Sequence, residues 1–220
     1  MGPGTGLGEG ILTKSKFSNC HEVVASEGGH VDFAVRNEED WKLHQFAMDF
    51  VENSDNVENQ RGRAKLDRLS TERLCAGPAV PLLYQFLKGQ YPDLKSTLEE
   101  RIAFKDMTST DIISAGMRKE NADPLCKKVI EKFAEIFAVE VGNMALKTIP
   151  YGGIYLVGGV TNGILDYLVN EHFFLSVYYK KGRISSVLRR IPLCIVKPEV
   201  ELGIMGAEEC AFRAFQCYSK

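Results

Sequence analysis

Apolar side chains recur at helical spacing most clearly over residues 124–147. Val129, Ile130, Phe133, Ile136, Phe137, Val141, Met144 and Ala145 fall on one stripe of a helix with about 3.6 residues per turn. Asp123 is set to cap that helix, and Pro124 stands at its first position, where a missing N–H costs nothing. A second, imperfect helix is predicted over 38–51, with Trp41, Leu43, Phe46, Met48, Phe50 and Val51 as its apolar positions. Ser70 to Leu74 reads as a helix start that Gly77-Pro78 breaks, with helix resuming over 80–87. Thr108 and Asp111 form a capping-box pair for another helix.

Short apolar runs bounded by turn residues predict strands over 11–13, 22–25, 153–157 and 193–196. Helix is expected over 163–169 and 206–216. Residues 173–179 read as helix too, although Val177 and two tyrosines leave strand open. A polar turn is expected over 15–19 and a solvated loop over 52–68, while 88–105 is unplaced. Helices alternating with short strands indicate an α/β chain, or an α+β one if the strands segregate. The chain opens on a turn dense in glycine, Met1 to Gly10, with no element before it. Such a turn normally joins two elements, so an upstream partner is expected.

Composition narrows the class. The 220 residues are 45% hydrophobic and 25% charged, with a net charge of -2. A chain of this size buries roughly 70% of its unfolded surface, enough for a core without metal or disulfide staples. The charge balance favours neither nucleic acid nor an anionic membrane. No apolar run reaches the ~20 residues of a bilayer span. The six cysteines form no C-x-x-C pair, and most sit in apolar runs such as Leu193-Cys194-Ile195. They are expected to be reduced core residues, which suits a cytoplasmic setting.

Four constellations carry candidate chemistry, each with an ordinary structural alternative. Gly4-Thr5-Gly6 offers backbone N–H groups and one hydroxyl without bulky side chains, as a phosphate requires, but a flexible turn has the same composition. Glu27-Gly28-Gly29-His30 offers a carboxylate that accepts from neighbouring hydroxyls and an imidazole that donates or accepts, which suits a sugar. The alternative there is a solvated surface turn. Glu72 stands where a helix dipole favours a glutamate anyway. Gly152-Gly153 and Gly158-Gly159 flank a short strand, either to let a flat ligand approach the main chain or for close packing.

Order and spacing decide what the separate motifs do not. G-x-G-T-G-L-G at residues 2–8 is followed by E-G-G-H-V-D-F at 27–33 and S-x-E-R-L-x-x-G-P at 70–78. Then come G-G-I-Y-L-x-G-G at 152–159, K-G-R at 181–183 and G-I-M-G-A at 203–207. Along nearly its whole length the chain resembles the bacterial-type glucokinases. It is less similar to the wider ROK sugar kinases, whose cysteine-rich zinc motif has no counterpart after His30.

The resemblance implies an actin-like, ribonuclease-H-like ATPase fold, here incomplete. Residues 1–201 would be the large lobe and 202–220 a terminal helix returning to the small lobe. It implies transfer of the γ-phosphate of ATP to the 6-hydroxyl of glucose, with Mg-ATP as the donor complex and glucose and ATP as partners. A homodimer is left open. Glu27, His30 and Glu72 would bind the sugar, and Gly4, Thr5, Gly6, Gly77, Gly158 and Gly159 would adjoin ATP. No metal ligand from the chain is implied. The family's Asp-x-Gly-Gly-Thr turn and the Asn-Asp pair carrying its catalytic base are absent from the sequence. The base is therefore expected in a missing amino-terminal part, and the chain alone is expected to be inactive. The rival expectation is a non-catalytic sugar-binding or dimerising module on the same fold.

Overall fold

A computed structural model describes residues 1–15, 21–53, 67–170 and 172–218. Its helices are α1 (Glu38–Asn53), α2 (Ala79–Gln90), α3 (Ser109–Gly116), α4 (Pro124–Thr148), α5 (Gly159–Gly163), α6 (Leu165–Asn170), α7 (Phe173–Tyr178), α8 (Ser185–Leu188) and α9 (Leu202–Tyr218). Its strands are β1 (Gly2–Pro3), β2 (Leu7–Gly8), β3 (Ile11–Lys14), β4 (His21–Val24), β5 (Ile154–Leu156) and β6 (Leu193–Ile195). The polar turn expected over 15–19 and the loop expected over 52–68 lie largely outside the described residues.

Helix α4 is the centre of the core, as its apolar stripe requires. Val129, Phe133, Ala134, Phe137, Ala138 and Val141 are fully or almost fully buried against α2, α3 and α7. Both of its cap signals are realised. Asp123 Oδ1 accepts from the Cys126 N–H at 2.9 Å, and Pro124 opens the helix. The other oxygen of Asp123 gathers the previously unplaced segment. It accepts from the hydroxyls of Ser96 and Thr97 and from the Leu98 N–H, at 2.8, 3.2 and 3.2 Å. Burial pushes the Asp123 carboxyl up, but these hydrogen bonds outweigh it and hold the group below its ordinary value. The Thr108–Asp111 capping box of α3 also forms.

β5 and β6 pair in parallel, with Ile154 opposite Leu193 and Leu156 opposite Ile195. Met1 lies along the other edge of β5. Its amino group donates to the Tyr155 carbonyl at 2.9 Å, and the Val157 N–H donates to the Met1 carbonyl at 2.9 Å. From there β1 and β2 form a small antiparallel hairpin whose tip is Gly4-Thr5-Gly6. The glycine-rich opening is thus packed on β5. β3 and β4 make a second hairpin, exposed at Leu12, Val23 and Val24.

Several expectations need correction. The helix expected over 163–169 is α6, and a further short helix, α5, precedes it. Gly158 adopts φ +99°, which turns the chain into α5 directly after β5. Residues 173–178 resolve as helix, and the last helix begins at Leu202 rather than 206. Trp41 is exposed, and α1 instead buries Leu43, Ala47 and Val51, four residues apart. Cys75 and Cys126 are buried as expected, but Cys194 is only half-buried and Cys210 is exposed, because α9 is exposed along residues 202–216. Cys20 lies outside the described residues.

The reason α1 turns Trp41 outward is electrostatic. Asp40 is fully buried and accepts from Arg36 Nε at 2.7 Å and from Lys132 Nζ at 2.9 Å. Lys132, itself 4% exposed, also donates to Glu39 and Glu135, and Arg36 reaches Glu135. Burial pushes the Asp40 carboxyl up, yet its bonds to Arg36 and Lys132 more than compensate and leave it below 3.8. Removing one member of a buried ionic cluster leaves the others uncompensated. Lys132→Ala should therefore lower the unfolding free energy by about 3–5 kcal/mol, read as a shifted urea midpoint by circular dichroism. The stabilisation that Asp40 provides should be complete above its ordinary range and fade as the pH falls through its lower folded value. A Lys132→Ala protein with unchanged stability would contradict this account.

Candidate functional site

Two short 3-10 turns and the β1–β2 hairpin build the site. Residues 31–33 run antiparallel to residues 69–71. The Phe33 N–H donates to the Leu69 carbonyl at 2.9 Å, the Thr71 N–H donates to the Val31 carbonyl at 2.8 Å, and Asp32 bridges Ser70. This pairing sets the turn Gly28–His30 beside the turn Thr71–Leu74, which carries Glu72. Arg68 closes the join by donating to the His30 carbonyl at 2.6 Å and to Asp32 Oδ1 at 3.1 Å.

Glu27, His30 and Glu72 consequently converge. His30 Nε2 lies 3.7 Å from Glu27 Oε2, and His30 Nδ1 lies 4.0 Å from Glu72 Oε1. Both separations exceed hydrogen-bond length, so the three side chains keep unused donors and acceptors facing one another. Glu27 is almost fully exposed, His30 half-exposed and Glu72 mostly covered. The arrangement is a shallow polar cluster able to take hydroxyl groups between its members.

Glu72 also reaches the hairpin. Its Oε2 accepts from the Leu7 N–H at 2.8 Å. A Cβ on Gly6 would stand 2.5 Å from that same oxygen, so glycine there leaves room for the carboxylate. Gly29 fits against the Leu7 carbonyl, where a Cβ would collide. The E-G-G-H turn and the G-T-G-L-G hairpin are therefore packed on each other through glycines.

The remaining glycines surround the hairpin tip. The Gly4 N–H donates to the Gly6 carbonyl at 2.8 Å, and the Gly77 N–H donates to the Gly4 carbonyl at 2.6 Å. Ser109, at the start of α3, donates its hydroxyl to the Gly77 carbonyl at 2.6 Å. Gly158 meets the Pro3 carbonyl from the other side. Gly4 and Gly159 face open space, and Thr5 is exposed at the tip. The N–H groups of Gly4 and Gly77 are thus spent on shaping the hairpin, which leaves Thr5 at its open end. Among the described residues, no three His, Cys, Asp or Glu side chains gather as a metal site.

Two residues escaped the sequence reading. Ser109 gave no signal beyond standing next to a cap. Glu9 was detectable as a carboxylate in an otherwise glycine and apolar run, but its partner Gly28 was not. Cys75 follows Glu72 by three positions and is inert. Burial, with the carboxylates of Glu140 and Glu9, pushes its thiol far up.

The model of the family described as Glucokinase matches residues 1–214. The chain is 35% identical to a glucokinase of Nostoc punctiforme, over 97% of this chain and 60% of that protein. It is 33% identical to one of Trichormus variabilis, with the same coverage. Among solved structures it is similar to a glucokinase from an Antarctic psychrotroph. The TM-score is 0.72 at 23% identity, over 96% of this chain and 56% of that one. A Balamuthia mandrillaris glucokinase, crystallised in complex with glucose, gives a TM-score of 0.67 at 16% identity, over 90% of this chain and 49% of that one. These likenesses establish the expected fold. The chain spans about 60% of the length of the curated relatives it matches.

The two kinds of glycine in the site should respond differently to substitution. Gly158→Ala forces a side chain into φ +99° and against the Pro3 carbonyl, and should cost more than about 1 kcal/mol of stability. Gly4→Ala meets nothing within 4 Å and should change stability by less than about 0.5 kcal/mol. Thermal unfolding of the two variants beside the parent chain checks the contrast, and equal effects would contradict it.

Proposed function

Because this chain belongs to the glucokinase family, we propose that it is the sugar- and nucleotide-binding lobe of an enzyme that transfers the γ-phosphate of ATP to the 6-hydroxyl of glucose. The observation that carries this reading is Glu72. One carboxylate oxygen holds the backbone of the glycine hairpin, and the other faces His30 in the polar cluster. A sugar site and a phosphate site joined by one side chain suit a reaction in which a hydroxyl must meet a phosphate in line.

In this reading Glu27 and Glu72 accept hydrogen bonds from neighbouring ring hydroxyls and His30 donates or accepts beside them. These contacts fix the ring and hold the 6-hydroxyl towards the hairpin. Thr5 at the hairpin tip offers its hydroxyl to the phosphates, while Gly4 and Gly6 keep the approach free of side chains. Gly159, whose face is open, lets adenosine lie against the main chain, beside Gly77 and Gly158, which pack on the hairpin. Mg²⁺, bound mainly by the nucleotide's phosphates and water, would neutralise charge on the transferring group. The base that takes the proton from the 6-hydroxyl is assigned to no residue of this chain.

Residues 1–201 form the lobe in this proposal, and 202–220 a helix that packs on the small lobe of the whole enzyme. Supporting that division, α9 exposes Leu202, Ile204, Met205, Phe212 and Phe215. A cytoplasmic location is part of the same proposal. Among the described residues no helix is long and apolar enough to cross a membrane.

Titrating glucose into the chain, with the backbone amides of Gly28, Gly29 and His30 followed by NMR, tests the reading. Saturable shifts are expected at those amides. Glu27→Gln and Glu72→Gln should each raise the dissociation constant by about tenfold to a hundredfold, the loss of a hydrogen bond to a charged group. ATP binding should barely change in Glu27→Gln, whereas Glu72→Gln also alters the acceptor of the Leu7 N–H that shapes the hairpin. Shifts confined to other regions, or variants that bind glucose as the parent does, would contradict the assignment.

A further inference from the structure

Glu9 follows β2 directly and stands apart in sequence from Glu27, His30 and Glu72. Its Oε2 occupies the space where a Cβ on Gly28 would lie, so it presses on the E-G-G-H turn at its second residue. Ser26 borders the same spot, and its hydroxyl accepts from the Gly28 N–H at 3.0 Å. The other oxygen of Glu9 is buried and has no hydrogen-bond partner. Four groups face this carboxyl electrostatically. Glu140 and Lys147 come from α4, the amino group of Met1 comes from the edge of β5, and the Cys75 thiol lies close enough to feel both Glu9 and Glu140.

Glu140 sharpens the problem. It is 3% exposed, one oxygen accepts from Asn143 at 3.0 Å, and the other is buried without a hydrogen bond. Its nearest cation there is Lys147, at a loose 3.9 Å. Two carboxyls with unsatisfied buried oxygens are thus held near one another. Ionising Glu9 there is costly, because a buried charge needs a partner and like charges repel.

We propose that Glu9 is a positioning residue of the sugar site: its carboxyl wedges against Gly28 and sets Glu27 and His30 for the sugar, and ionising that carboxyl loosens the turn. The inference rests on Glu27, His30 and Glu72 being the sugar ligands. Burial first, and Glu140 second, raise the Glu9 carboxyl above 4.5, while Lys147 and the Met1 amino group offset only part of this. The sign follows. An acid with a raised value keeps its proton above the ordinary carboxylate range and loses it as the pH rises further. The packed turn, and with it sugar affinity, should therefore weaken as the pH climbs through that raised value.

The test is the glucose titration repeated from about pH 5 to pH 8 for the parent chain, Glu9→Gln, Glu9→Ala and Glu27→Gln. Glu9→Gln keeps the shape without the charge. It should bind glucose like the parent at the acid end and lack the part of the parent's decline that Glu9 causes. Glu9→Ala removes the wedge and should weaken glucose binding by about threefold to tenfold at every pH, with ATP affinity unchanged and the amide spectrum still that of a folded chain. A Glu9→Ala chain that binds like the parent overturns the proposal, as does a Glu9→Gln chain whose pH profile superposes on the parent's. Glucose binding that depends on Glu27 but ignores Glu9 overturns this inference alone. No saturable glucose binding in the parent overturns the sugar-site reading and this inference with it.

Discussion

The hydrogen bond from the Leu7 N–H to the Glu72 carboxylate, 2.8 Å long, is the contact on which the rest of the site depends. It joins residues 65 positions apart in sequence. A charged acceptor on a backbone N–H is among the stronger hydrogen bonds available, and it fixes both partners at once. Around it the sequence has little freedom. Gly6 must be small because Glu72 lies where its side chain would be, and Gly29 must be small because the Leu7 carbonyl does. Gly77 and Gly158 then close on the hairpin from either side. Gly2, Gly6, Gly28, Gly29, Gly77 and Gly158 are contact glycines, and among the described glycines only Gly153, Gly158 and Gly182 have a positive φ.

That small site stands on a rigid base. α4 packs α2, α3 and α7 around itself through a continuous apolar stripe. Its polar exceptions are specific. Lys132 ties α4 to the start of α1, Asp123 ties its amino end to residues 96–98, and Glu140 accepts from Asn143 one turn on. Lys181, in the K-G-R motif, donates to Asn143 Oδ1 at 2.6 Å, and Gly142 makes room for its stem. Burial lowers the Lys181 amine despite the attraction of Glu140. Polar groups inside α4 therefore connect elements that the apolar stripe alone would leave free to shift.

Much of this was legible in the sequence where local rules suffice. The stripe, cap and proline of α4 read directly, and so did the capping box of α3. The motif order pointed to the family before any geometry. What failed depended on distant partners. Trp41 reads as a core residue by periodicity, but burying Asp40 with Arg36 and Lys132 rotates α1 the other way. The start of α5 directly after β5 turns on the positive φ of Gly158, which no pattern reports. Glu27, His30 and Glu72 were nameable one by one. Their convergence rests on the pairing of 31–33 with 69–71, too short a ladder to leave a strand signal.

A crystal structure of the chain with glucose bound measures the central claim most directly. The account predicts sugar hydroxyl oxygens within about 2.6–3.2 Å of Glu27, His30 and Glu72 Oε1, with Glu72 Oε2 still accepting from the Leu7 N–H. Glucose held elsewhere, or a Glu72 that releases Leu7 when the sugar binds, would contradict it.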